Sequence, residues 1–552
     1  MIEVVLCTSS LPVLLLSPFS LPPLLLLLLS LDYQNYQEAM TGVHDYSVKE
    51  NIPYRHLLLD SWWYTKGDAG GLKEWDATNS TFPDGLAPFA KKTGWKFQMH
   101  NRHWSDNNVY AKQNGGNYDF VLDPAPAGSG MAMPLGQHLW DDLMSNKTEN
   151  GIPLSVYEQD WLYNEWRGVA EARASPTLSR QWLMQMGTGA TKSNTTVQYC
   201  MSLARHVLQS IEIPAVTTFR ASDDYGPGQT GYYPTREPGK PPTNSSTGCT
   251  FPYCVYYVGT TSIIAHALQL KPSKDNYWST PLQRGSAFNR NPYQPTMLND
   301  THEPYNEMQS AISSYTTAMV APSDGVGFSN ASLIKMACRS DGRLLQPSAP
   351  ARAIDASFAL SGAPVNHVKN VHSVMATHTE IGGVKWPHIL VIGLSEPFKL
   401  LPEHLSVSGD IGTGPAVAWT GYQPSDTVGK GGPVNVTLLI GSNHFSDDHP
   451  LTLTPCGYSN FGLYHISPIH PLSQLALLGE LGKWVPVADD RIVAVKDSAD
   501  GLAVDIIGEK GETVELAFAD ATLVSTGVCT FGATGKATMT WDGKQLPTCA
   551  TE

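Results

Sequence analysis

Charge is scarce in this 552-residue chain: Asp, Glu, Lys and Arg make up 16% of it, no long basic run occurs, and the formal net charge is −14. That pattern lacks the electrostatic footprint of a nucleic-acid binder and suits small neutral partners better. No zinc-like paired Cys-x-x-Cys spacing is present, nor a His-Glu-x-x-His helix or any other dense cluster of metal-ligand residues. Also missing are a phosphate-binding glycine loop ending in Gly-Lys-Ser/Thr, a Gly-rich dinucleotide fingerprint after a strand, and a Gly-x-Ser-x-Gly elbow. Several enzyme classes drop out with them. No internal repeat is evident.

The one long apolar run, Leu11 to Leu31, is broken by Pro12, Pro18, Pro22 and Pro23, which disfavours a stable membrane helix. It reads as a signal-like leader over residues 1–32. Against that, the run is preceded by Glu3 without Lys or Arg and followed by no small-residue cleavage site, so an unreliable start is the alternative. Seven Asn-x-Ser/Thr sequons, at Asn79, Asn146, Asn194, Asn244, Asn299, Asn330 and Asn435, favour a secreted or lumenal route. Cys249 and Cys254 bracket a short loop that a disulfide could close, whereas Cys200 and Cys338 lie inside apolar runs and read as buried thiols.

What is abundant is apolar residues at 41%, with 48 Gly, 40 Pro and 14 Trp, the composition of a loop-rich globular protein. Tryptophan at that density also suits sugar rings. From 33 to 350, short β-branched or aromatic runs alternate with helix-like segments around Leu86 to Lys92, His138 to Ser145 and Val197 to Ser210, the rhythm of βα units around a parallel sheet. From 351 to 552, alternating segments such as His388 to Ile392, Val434 to Ile440 and Arg491 to Val495 predict an antiparallel β-domain. Its Asp500-Gly501 and Asp542-Gly543 pairs predict tight hairpins.

Within the first region, runs such as His56-Leu-Leu-Leu-Asp60, Lys96-Phe-Gln-Met-His100 and Leu154-Ser-Val-Tyr157 end in polar residues. In a barrel, residues at the carboxyl ends of strands form the active face. Two carboxylates stand out. Asp160 closes Val-Tyr-Glu-Gln-Asp, and Asp224 follows 64 residues later in Thr218-Phe-Arg-Ala-Ser-Asp-Asp-Tyr225, an interval that holds two βα units. Asp223 is the less favoured partner, because in an extended strand it points to the opposite face from Asp224.

The words around these residues say more. Phe219-Arg-Ala-Ser-Asp-Asp-Tyr225 resembles the Arg-x-Ser-Asp-Asp segment of raffinose synthases (seed imbibition proteins) and alkaline α-galactosidases. In order, Gly259 to Leu270 with Lys274-Asp-Asn-Tyr-Trp-Ser-Thr280, then Ser310 to Asp324 and Asp341-Gly-Arg-Leu-Leu345, look like the family's helix, strand end and closing strand. Upstream, Leu57-Leu-Leu-Asp-Ser-Trp-Trp63 and Phe82-Pro-Asp-Gly-Leu86 look like its second-strand segment. The resemblance covers about residues 50 to 350.

It implies a (β/α)8 TIM-type barrel followed by a C-terminal antiparallel β-sandwich, and a retaining glycoside hydrolase acting on terminal α-linked sugars without metal or organic cofactor. Asp160 is then the nucleophile and Asp224 the general acid/base. Arg220 holds a substrate hydroxyl or the acid and is the cation that separates the two carboxyl pKa values; Asp60 bonds sugar hydroxyls; Trp62 or Trp63 stacks on the ring, or else packs the barrel. His100, Asn101 and His103 are candidate pocket residues after the third strand. Glu158 stands where relatives commonly carry Lys, two residues before Asp160 on the same strand face, so two like charges compete there. A second departure is the first strand, whose place the proline- and leucine-rich start takes. The partner is an oligosaccharide or glycoside, with no nucleic acid and no membrane span; the rival functions are a transglycosylase sharing the intermediate and a non-catalytic carbohydrate-binding protein.

Overall fold

A computed structural model describes residues 3–5, 33–222, 224–227, 254–283, 302–356, 374–408, 414–422, 436–439, 444–520 and 522–552. Its organising element is a parallel sheet whose strands follow chain order: β1 (Glu3–Val5), β2 (His56–Leu59), β3 (Lys96–Asn101), β4 (Leu154–Gln159), β5 (Thr196–Tyr199), β6 (Val216–Arg220) and β7 (Lys271–Ser273). Parallel strands are covered on both faces by their crossovers, which is why all four residues of β2 are buried. Beyond β7, Tyr277 N donates to Ala321 O at 3.1 Å and Ser323 N to Tyr277 O at 2.9 Å, so the chain around Pro322 lies alongside Tyr277 in an isolated parallel bridge. Leu58 of β2 and Ala321 form a small buried apolar pair, showing how far the sheet curls.

At the edge of this sheet Glu3–Val5, ahead of the proline- and leucine-rich run, pairs with His56–Leu58. Pairing is a property of the backbone, and three residues make a rung too short for any periodicity to announce.

Outside the sheet, helix Tyr36–Lys49 starts at Asn35, whose Oδ1 accepts from Glu38 N at 2.9 Å. Helix Leu86–Thr93 stops at Gly94, which takes φ 68° where a side chain would be strained. Helices Gln137–Glu149 and Leu178–Lys192 pack so closely that a Cβ on Gly189 would lie 2.8 Å from the Trp140 backbone. The expected helix from Val197 to Ser210 is shorter: residues through Tyr199 belong to β5 and only Ala204–Gln209 is α-helical. The β-branched Thr195-Thr196-Val197 run favours strand over helix.

Two excursions, after β2 and after β3, build a separate five-stranded sheet from Tyr64–Lys66, Leu72–Ala77, Trp104–Ser105, Met131–Leu135 and Asp119–Asp123. Neither was legible in the βα rhythm. From Arg352 onward the structure is almost entirely antiparallel, with sheets of six, two, three and four strands. Val374–Ile381 and Val384–Val391 meet in a hairpin through Gly382 and Gly383, at φ 59° and 81°, the left-handed geometry of a two-residue turn. Ala499-Asp500 likewise closes the hairpin at Ser498 and Gly501, whereas Asp542 begins a longer loop and accepts from Lys544 N and Gln545 N. The region docks on helix Asn306–Tyr315, where Tyr315 Oη donates to Trp484 O at 2.6 Å and Trp484 Nε1 to Ser310 Oγ at 3.0 Å.

The expected Cys249–Cys254 bridge involves Cys249, which lies outside the described residues. Among the described residues Cys529 and Cys549 form a disulfide between two C-terminal strands, and Cys200 and Cys338 are buried free thiols. Among the described residues no helix is long and apolar enough to cross a membrane.

Candidate functional site

The carboxyl ends of β2 to β7 surround one cleft, with an empty volume of about 470 Å³ open to solvent. Asp60 and Ser61 reach it from β2, His100 and Arg102 from β3, Glu158, Asp160 and Trp161 from β4, Cys200 from β5, Arg220 and Asp224 from β6, and Asp275 from β7. Strand ends supply them because every parallel strand points the same way, so all last residues share one rim.

Asp160 follows the last residue of β4, and its amide donates to Asn101 O at 2.7 Å. Its Oδ2 lies 3.1 Å from His100 Nε2, while its Oδ1 is buried without a partner. Asp60 Oδ1 accepts from Ser61 N and lies 3.9 Å from the same His100 nitrogen. Burial opposes a charge on His100, but the hydrogen bond to Asp160 and the charges of Asp60, Asp160 and Glu158 outweigh it, raising its pKa above the usual 6.5. His100 is thus a cation-capable group hydrogen-bonded to Asp160.

Glu158 lies one rung deeper. Gln98 Nε2 donates to its Oε2 at 2.9 Å and Gln198 Nε2 to its Oε1 at 3.3 Å, from the strands on either side. Burial, with Asp160 and Asp60 nearby, raises its pKa to about 7, His100 and Gln98 acting in the other direction. The anticipated competition with Asp160 is therefore relieved by protonation of Glu158 below about pH 7.

Arg220 is engaged by two other carboxylates of the cleft. Its Nη2 donates to Asp224 Oδ1 at 2.7 Å, its Nη1 to Asp275 Oδ1 at 2.9 Å and its Nε to Ser222 O at 3.1 Å. The Asp224 side chain is 57% exposed, able to meet a ligand from solvent, whereas that of Asp275 is only 6% exposed. Asp275 Oδ2 accepts from Tyr225 N at 2.5 Å and its own amide donates to Ser222 Oγ at 2.8 Å, so the segment carrying Asp224 is tied to the end of β7. Strand β6 stops at Arg220, so the extended alternation used to rank Asp223 does not apply; Asp223 itself lies outside the described residues.

A comparison with protein-family profiles and one with curated proteins each found no match. A comparison with solved structures gives partial alignments. A GH31 dextranase from Flavobacterium johnsoniae, solved with isomaltotriose, aligns at TM-score 0.42 and 9% identity over 88% of this chain and 59% of that one. The α-galactosidase from Lactobacillus brevis aligns at 0.44 and 10% over 79% and 53%, and a glucosidase II α subunit at 0.36 and 11% over 88% and 52%. This chain thus spans between half and three fifths of their lengths. The functional reading stands on the cleft, not on these likenesses.

Of the residues singled out in the sequence, the cleft gathers Asp60, His100, Glu158, Asp160, Arg220 and Asp224. It leaves others out. Trp62 stacks on Tyr36 at 4.1 Å, and Trp63 is fully buried edge-on to Tyr64 and Trp75, so both pack the fold. Asn101 is fully buried with its Nδ2 on Tyr157 Oη, and His103 is 1% exposed with a pKa lowered by burial to about 3. The aromatic that does border the cleft is Trp161, held at φ 94° with the Arg102 guanidinium 3.7 Å from its ring centre. A bulky residue at positive φ is strained, and such strain concentrates at functional sites. Trp161, Arg102, Cys200 and Asp275 were missed; Trp161 and Asp275 each had a signal, one adjoining Asp160 and the other inside the Lys274 to Thr280 segment. Among the described residues no group of three or more His, Cys, Asp or Glu could hold a metal ion.

Proposed function

We propose that this protein is a retaining glycoside hydrolase acting on terminal α-linked sugars, α-galactosidase-like, with Asp160 as nucleophile and Asp224 as general acid/base. The observation that carries the proposal is the convergence of Asp60, Asp160 and Asp224, from three different strands, on one open cleft. Asp160 attacks the anomeric carbon while Asp224 gives its proton to the departing glycosidic oxygen; Asp224 then takes a proton from water, which attacks the same carbon and releases Asp160. For the first step Asp224 must carry a proton, so its bond to Arg220 opens or shifts onto the other carboxyl oxygen as substrate enters. Asp60 accepts from sugar hydroxyls, and Trp161 takes the stacking role in place of Trp62 and Trp63.

The same reading takes the curled parallel sheet as a (β/α)8 barrel and the sheets after Arg352 as its sandwich partner, and it places the protein in the secretory pathway, where sequons and the Cys529–Cys549 bridge belong. The test is release of chromophore from a panel of aryl α-glycosides by the purified protein beside an Asp160→Asn variant of matched fold. Turnover that vanishes in the variant supports the proposal. Silence from both, with an acceptor sugar present as well as absent, sinks hydrolysis and transfer alike and leaves a binding protein.

A further inference from the structure

On the reading of Asp160 as nucleophile, on which this depends, we propose that His100 is a positioning residue that orients the Asp160 carboxylate, and that Tyr64 serves it by selecting the tautomer of its ring. His100 is 4% exposed at the end of β3, and both of its ring nitrogens are engaged. Nε2 lies 3.1 Å from Asp160 Oδ2 and Nδ1 lies 3.1 Å from Tyr64 Oη. The Tyr64 and His100 rings lie 16° from parallel with centres 6.0 Å apart, and Trp75 Nε1 donates to the His100 carbonyl at 2.9 Å, so ring and backbone are both pinned.

A neutral imidazole carries one N–H, and only the tautomer with that proton on Nε2 can donate to Asp160. The other tautomer turns a lone pair toward the carboxylate and repels it. Tyr64 decides between them. Its O–H lies 3.1 Å from Nδ1 and can donate to an unprotonated Nδ1, which leaves the ring proton on Nε2. When the ring is protonated, both nitrogens carry hydrogen and Nε2 donates to Asp160 whatever Tyr64 does. The Tyr64 contribution therefore belongs to the neutral ring.

The charged and titratable groups facing His100 are Asp60 from the end of β2, Tyr64 from the five-stranded sheet, Glu158 and Asp160 from β4, and Arg102 two residues along its own chain. The acids outweigh burial and raise its pKa above the usual 6.5.

The experiment uses full-length protein labelled with 15N-histidine, comparing wild type, Tyr64→Phe and Asp160→Asn by long-range 1H–15N spectra across pH, with His100→Gln assigning the signal by its loss. In parallel, kcat/KM for an aryl α-glycoside is followed against pH in wild type and Tyr64→Phe. Expected are a neutral Nε2–H tautomer in wild type, a mixture in Tyr64→Phe, and a lower His100 midpoint in Asp160→Asn. The kcat/KM deficit of Tyr64→Phe then widens roughly tenfold as pH rises through that midpoint, the size of one misdirected hydrogen bond. A purely structural tyrosine would give a deficit independent of pH. That flat deficit, an Nδ1–H tautomer in wild type, or an unchanged midpoint in Asp160→Asn each overturns the proposal. If no glycoside is turned over, the glycosidase reading falls, and the spectra alone decide whether His100 orients Asp160.

Discussion

Arg220 donates to Asp224 Oδ1 at 2.7 Å, and its other terminal nitrogen serves the buried Asp275 at 2.9 Å. One guanidinium thus ties an exposed carboxylate to a buried one. Removing a partner from a buried pair costs more than the pair contributes, because the remaining charge is stranded. Arg220→Ala should lower unfolding stability by on the order of 3 kcal/mol, measured by chemical denaturation, whereas Arg220→Ala with Asp275→Asn should recover part of that. Equal stability for the single and double variants would show that Asp275 is not the stranded group.

The two carboxylates should respond differently to substitution and to azide. With Asp160→Gly, azide can occupy the vacated space and attack directly, giving a glycosyl azide of inverted configuration. With Asp224→Ala, the glycosyl ester still forms from substrates whose leaving group needs no proton, so activity on poor leaving groups falls about 10²- to 10⁴-fold while activated aryl glycosides suffer far less. Azide then yields the retained product. The configuration of the azide adduct, read by NMR, assigns the roles, and reversed outcomes would exchange them.

Glu158 makes stability depend on pH. Its pKa is raised from 4.5 to about 7 in the fold, so between those values the folded chain holds a proton that the unfolded chain has lost. Stability contributed by this group is full below pH 4.5, falls as pH rises through 7 and is then constant, with a span on the order of 3 kcal/mol. Glu158→Gln should flatten the difference in Tm between pH 5 and pH 8 relative to wild type. An unchanged difference would assign the dependence elsewhere.

Trp161 and Trp63 should separate function from packing. Trp161 borders the cleft, so Trp161→Ala should raise KM roughly fivefold, the equivalent of about 1 kcal/mol of stacking, while alanine keeps the Cβ and with it the strain at φ 94°. Trp63 is fully buried, and Trp63→Ala should cost about 3–5 kcal/mol of stability while KM of the surviving fold holds. Calorimetry and kinetics on the two variants check this, and the opposite pattern would return the stacking role to Trp63.

The runs that end in Asp60, His100 and Asp160 were legible because strands buried on both faces are rich in apolar residues, and a polar residue closing them marks the rim. The five-stranded sheet was not, since strands as short as Trp104–Ser105 carry no periodicity. Nor was the Cys529–Cys549 pairing, which depends on two strands separated by another in the chain.

The sequence by itself determined the order of βα units, the change to antiparallel structure after residue 350 and the identities of the strand-end carboxylates, since each is written in a local pattern of burial or turn chemistry. Only the tertiary structure decided which cation meets which acid. Arg220 and His100 are each long enough to serve several partners, and the curl of the sheet, a property of all its strands together, brought Arg220 to Asp224 and His100 to Asp160.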